Sequence, residues 1–98
     1  MQHFVLTYRY VDDYMARRDA FRAEHLARLQ KAADDGFVLA AGVLPESLSA
    51  LIVCRANSAD ELRAFAKDDP YYHAGLITSF EVEPWTVAVG VPQILKAQ

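Results

Sequence analysis

Two apolar runs, 37–44 (FVLAAGVL) and 48–56 (LSALIVCRA), are separated only by Pro45-Glu46-Ser47. No other feature restricts the fold of this chain as tightly. Two such runs joined by a few polar residues predict a β-hairpin. The first has almost no polar alternation, as expected of a strand covered on both faces, or on one face with a partner on the other. Helical sequence flanks the hairpin. Residues 14–35 are rich in helix formers such as Ala, Arg and Leu, with Glu and Gln and without Gly or Pro, and Gly36 supplies the stop. Phe21, His25, Leu29 and Ala32 recur at helical spacing, with Leu26 and Ala33 extending that face. After the hairpin, Ser58-Ala59-Asp60-Glu61 is a capping box that opens a helix over 59–67 with Leu62, Phe65 and Ala66 on its apolar face.

Strand-like segments close both ends. In residues 3–11 (HFVLTYRYV), Phe4, Leu6, Tyr8 and Tyr10 share one face and His3, Val5, Thr7, Arg9 and Val11 the other. Residues 77–91 predict a last strand, and Pro84, which cannot donate to a ladder, assigns it to an edge or a bulge. The order is β-α-β-β-α-β, an α+β ferredoxin-like plan with a four-stranded antiparallel sheet and both helices on one face. The other face would lie bare in a monomer and is too apolar for that, so a homodimer with two sheets packed face to face is expected.

The 98 residues are read as one domain, 1–98, with 92–98 as a tail that is loose or packs on a partner. A net charge of −3 without any basic run argues against nucleic-acid binding. No apolar stretch is long enough to span a bilayer, and the chain opens directly on a strand, so a soluble cytoplasmic protein is the default reading. The lone Cys54, set in an apolar run, reads as core.

The chemistry gathers around Lys67-Asp68-Asp69-Pro70-Tyr71-Tyr72-His73-Ala74-Gly75. Proline biases the residue before it away from the helical region, so Asp69 is a natural N-cap with Pro70 at the first helical position. The plan places both helices on one side of the sheet, so His25, inside the first, can approach Asp69 at the end of the second. A carboxylate bonded to one ring nitrogen sets the tautomer and raises the basicity of the other. Read separately, Asp69 is a cap and His25 a partly buried core residue; read together, they are a candidate acid/base dyad. Tyr8, Tyr71, Tyr72 and Trp85 are candidates for a pocket wall, the competing reading being core or interface aromatics. Arg22 is a candidate partner for an anionic substrate, and His73 adds an imidazole nearby. No nucleophile-elbow pattern and no metal-ligand spacing occurs, so a set of His25, Asp69 and His73 is the one metal arrangement the residues suggest, and no metal or cofactor is assigned.

Arg22-x-x-His25-Leu26-x-x-Leu29, Gly36-x-x-x-x-Ala41-Gly42, Ser58-x-x-Glu61-Leu62, Asp69-Pro70-Tyr71-x-x-Ala74-Gly75-Leu76 and Phe80-Glu81-Val82-x-Pro84-Trp85 together resemble the YCII-related (YciI-like) family over nearly the whole chain. The resemblance implies a ferredoxin-like fold in a dimeric α/β barrel and an active site at the positions of His25 and Asp69. The short 45–47 connection and the imidazole at His73 depart from the usual pattern. The expected function is a small acid/base enzyme, a lyase, isomerase or dehydrohalogenase-like protein acting on a small cyclic or anionic organic molecule. The alternative is a non-catalytic small-molecule-binding or regulatory dimer.

Overall fold

The computed structural model describes residues 1–90, and the predicted tail at 92–98 lies outside them. The elements are β1 (Gln2–Tyr10), α1 (Tyr14–Arg17), α2 (Asp19–Asp34), β2 (Val38–Leu44), β3 (Ser49–Ala56), α3 (Ala59–Lys67), α4 (Pro70–His73) and β4 (Ile77–Pro84). All pairings are antiparallel, in the order β2-β3-β1-β4, which is the ferredoxin-like arrangement.

Register follows the alternation in β1. Phe4, Leu6, Tyr8 and Tyr10 are buried, and Phe4, Leu6 and Tyr8 stand opposite Cys54, Ile52 and Ala50 of β3. A slip of one residue would turn this whole set outward, so burial fixes the pairing. The helices seal this face with His25 and Ala32 of α2, Leu62 and Ala66 of α3, and Tyr71 of α4. Cys54 is fully buried there, and burial pushes its thiol up to about 12, so it stays a protonated packing group. The other face carries Val5 and Thr7, half-buried, Leu51, exposed, and Val53, buried.

The local stops act as the residues predict. Gly36 (φ +84°) and Gly75 (φ +78°) end α2 and α4 in the left-handed region, where a Cβ would be strained. The Glu61 carboxylate accepts the Ser58 and Asn57 amide N–H groups at 2.9 and 2.7 Å, closing the start of α3.

Four expectations change. The helix predicted over 14–35 divides at Arg18, where the Phe21 amide bonds to the Arg18 carbonyl at 2.9 Å, a one-residue tightening of the ladder. The first turn buries Tyr14 and the rest buries His25 and Ala32, while Leu26 and Ala33 are exposed rather than part of the packed face. The hairpin turn runs through Leu48, a non-glycine residue at φ +50°, so β3 starts at Ser49. The last strand ends at Pro84 rather than reaching residue 91. Pro84 stands opposite Phe4 and has no N–H to give to the ladder, and the Trp85 amide makes a last bond to the His3 carbonyl at 2.9 Å.

Candidate active site

Pro70 holds Asp69 in an extended conformation (φ −68°, ψ 133°) at the N-cap of α4, where Asp69 Oδ1 accepts the Tyr71 amide at 2.8 Å. The side chain that caps this turn is also the partner of His25. His25 Nδ1 lies 2.8 Å from Oδ1 and 3.0 Å from Oδ2, with His25 7% and Asp69 1% exposed. The Tyr8 hydroxyl donates to Oδ2 at 3.4 Å, and Arg28 Nη1 lies 3.9 Å from the same oxygen. A carboxylate on Nδ1 requires the proton there, so the neutral ring keeps its lone pair on Nε2.

Tyr71 contributes twice. Its amide seats the carboxylate, and its ring stacks on the His25 imidazole at 3.8 Å and 9°. With Nδ1 anchored and one face covered, the imidazole has a single orientation. It forms part of the wall of a cavity of about 80 Å³, together with Tyr10, Leu26, Leu29, Val43 and Ile52. Leu26 and Val43 also reach solvent, so the cavity has an apolar rim.

A cluster of phenols surrounds the pair. Tyr10 stacks on Tyr14 at 3.9 Å and 8°, and Tyr14 meets the edge of Tyr71 at 5.7 Å. Burial drives the Tyr8 phenol well above its ordinary value of 10.0, and the Asp69 charge adds to this. Burial and then the neighbouring Tyr14 raise Tyr10 and Tyr71 in the same direction, with Arg18 and Arg22 opposing at Tyr71. These hydroxyls are hydrogen-bond donors and not bases.

Of the residues singled out from sequence, His25, Asp69, Tyr8 and Tyr71 come together, and Arg22 lies on the exposed flank of α2 near Tyr71. Tyr72, His73 and Trp85 do not join them. Successive residues of a helical turn point about 100° apart, so with Tyr71 inward its two followers face out. Tyr72 packs its edge on Phe80 and is 38% exposed, and His73 borders a separate groove with Glu24 and Asp68. Trp85, 39% exposed, sits at the His3 end of β1, while the His25 cavity lies at the Tyr10 end. No group of three or more His, Cys, Asp or Glu side chains is placed to hold a metal among the described residues. In the same residues no helix is long and apolar enough to cross a membrane.

Tyr10, Tyr14 and Arg28 escaped the reading of the sequence. The signals were there: Tyr10 shares a strand face with Tyr8, and Arg28 stands three residues after His25.

Known proteins resemble this chain in sequence and in shape. The chain is 31% identical over 83 residues to protein YciI of Escherichia coli, across 74% of this chain and 85% of that protein. In shape it is similar to a 5-chloro-2-hydroxyhydroquinone dehydrochlorinase, TftG of Burkholderia phenoliruptrix, solved in complex with 2,5-dihydroxybenzoquinone. The TM-score is 0.75 at 22% identity, covering 88% of this chain and 95% of that one. A NIPSNAP family protein of Agrobacterium tumefaciens matches at TM-score 0.53 and 18% identity, covering 88% of this chain and 91% of its own. Since the model of the YCII-related domain matches residues 1–86 as well, the chain belongs to the YCII-related family.

Proposed function

We propose that this protein is a small acid/base enzyme that works as a homodimer, with His25 as the base and Asp69 as the group that orients it. One observation carries the reading: a buried carboxylate anchors Nδ1 at 2.8 Å while the same ring forms part of a cavity wall. In the reaction, Nε2 takes a proton from carbon or hydroxyl. The electron pair left behind either expels a leaving group or is reprotonated at another position, giving an elimination or an isomerisation. Tyr8 and Tyr71 hold the pair in place, and the neutral phenol of Tyr10 faces the same cavity as a donor to substrate oxygen. Arg22 offers a positive charge to an anionic group outside the cavity, since at about 80 Å³ the cavity takes the reacting end of a molecule and leaves the remainder at the Leu26–Val43 rim.

The similarity to a dehydrochlorinase supplies the first compounds to try. Chloride release from 5-chloro-2-hydroxyhydroquinone is expected above the spontaneous rate, and 2,5-dihydroxybenzoquinone is expected to perturb the His25 and Tyr10 NMR signals. Absence of both effects would count against a hydroxylated ring as substrate. The near-complete burial of His25 and Asp69 favours one competing reading, a non-catalytic binding or regulatory dimer held by a structural hydrogen bond. That reading predicts perturbation by the quinone with no turnover.

The dimer reading rests on the uncovered sheet face. Leu51 is 39% exposed beside the half-buried Val5 and Thr7, and pairing two such faces would remove this surface from water. Leu51→Glu is expected to convert a particle of twice 11.0 kDa into one of 11.0 kDa with its helix content intact, as read by light scattering and circular dichroism. A variant that keeps the wild-type mass would remove this face as the interface.

A further inference from the structure

Beside the dyad stands a cation, Arg28, that takes no part in the proton transfer itself. Arg28 lies on α2 one turn beyond His25, with its side chain 26% exposed. Its guanidinium is pinned on two sides. It stacks over the Phe65 ring at 4.0 Å and donates Nη2 to the Phe65 carbonyl at 2.7 Å. Nη1 is buried without a hydrogen bond and lies 3.9 Å from Asp69 Oδ2. A buried N–H left without a partner is costly unless electrostatics compensates, and the group facing it is a carboxylate.

We propose that Arg28 is a positioning residue whose fixed positive charge, acting across Asp69, favours the neutral form of the His25 ring, the form with a free lone pair on Nε2. The inference rests on the reading of His25 as a base. A buried carboxylate alone draws a proton onto its imidazole partner and ties up the lone pair needed for proton removal. A cation on the far oxygen opposes that pull. The other groups facing the pair cannot replace it: Tyr8 and Tyr10 from β1 and Tyr71 from α4 are neutral phenols, and Asp68 at the end of α3 is acidic. The charges of Arg18 and Arg22 act on Tyr71, and neither is ion-paired with Asp69. Among the described residues Arg28 is the one permanent cation paired with Asp69. Its charge is felt at Tyr8, where it opposes the upward push of burial and of Asp69.

The test is an NMR titration of the His25 ring in wild type and in three variants, with a thermal melt of each to establish folding. Removing the charge in Arg28→Gln is expected to raise the His25 midpoint by roughly 0.5–1 pH unit, a value discounted for the partial exposure of the guanidinium. Arg28→Met, which keeps an apolar stem over Phe65, is expected to do the same and serves if the glutamine variant does not fold. Arg28→Lys keeps the charge and is expected to stay within about 0.3 unit of wild type. Equal midpoints in wild type and in a folded neutral variant would overturn the proposal. So would a lysine variant shifted as far as the neutral ones, since that outcome assigns Arg28 to packing alone. The titration needs no turnover, so its result stands apart from whether His25 proves to be a base.

Discussion

Replacing His25 with glutamine is expected to lower turnover by roughly 10²–10⁴-fold, the range in which a positioned general base contributes. Glutamine retains an N–H for Asp69 but has no basic lone pair for the cavity, so the fold survives while the chemistry does not. Asp69→Asn probes the same pathway from the other end. Asparagine caps a helix as well as aspartate does, so the start of α4 and the Tyr71 amide bond at 2.8 Å are retained. What is lost is the charge that holds the proton on Nδ1, and a loss of similar order is expected. Asp69→Ala removes the cap as well and should cost about 1 kcal/mol more in stability. Rates are to be compared on 5-chloro-2-hydroxyhydroquinone, with denaturant melts to establish folding. If His25→Gln and Asp69→Asn both keep the wild-type rate, the dyad is a structural hydrogen bond.

The second large effect concerns stability at high pH. Tyr8, Tyr10 and Tyr71 each hold their proton more tightly in the folded protein than the ordinary value of 10.0, chiefly because burial disfavours the phenolate. Below pH 10 both the folded and unfolded chains carry these protons, and pH has no leverage through them. Above it the unfolded chain releases them while the folded chain keeps them, so stability falls as pH rises. Each such tyrosine contributes at most about 1.4 kcal/mol per pH unit, and Tyr8 and Tyr10 together up to about 3, with Tyr71 adding less because its hydroxyl is better screened. A small domain holds about 5–15 kcal/mol, so cooperative alkaline unfolding is expected within roughly two to three units above pH 10. The signature is a rise in tyrosinate absorbance coincident with loss of the circular dichroism signal. Tyrosines that titrate smoothly near pH 10 in a still-folded protein would show that the cluster is open to water.

The fold could be read in the sequence wherever a single residue forces a local choice. Pro70 could only begin a turn, Gly36 and Gly75 could only end one, and the alternation from Phe4 to Tyr10 left one possible inward face. The spatial meeting of His25 with Asp69 followed once both helices were assigned to one side of the sheet. What escaped the sequence depended on neighbours. The apolar residues after Pro84 have the composition of a strand, but proline breaks the donor series and, beyond the Trp85–His3 bond, they form no ladder on β1 among the described residues. Trp85 was legible as an aromatic ring, yet its distance from His25 is set by the register of β4 on β1. Arg28 looked like an ordinary surface cation of a helix, because its relation to Asp69 passes through the Phe65 shelf on another helix. Tyr14 sat in a helix-forming run and gave no sign that it would be drawn under Tyr10 and Tyr71.

The stacking of Tyr71 on the imidazole has a stereochemical consequence. One face of the ring is covered at 3.8 Å, and the in-plane rotation is stopped by two carboxylate oxygens. The remaining lone pair therefore points along one line only. A base fixed in this way distinguishes left from right: of two mirror-related hydrogens on a substrate carbon held in the cavity beside it, it reaches one. Handedness would thus be decided by a tyrosine that never touches the proton.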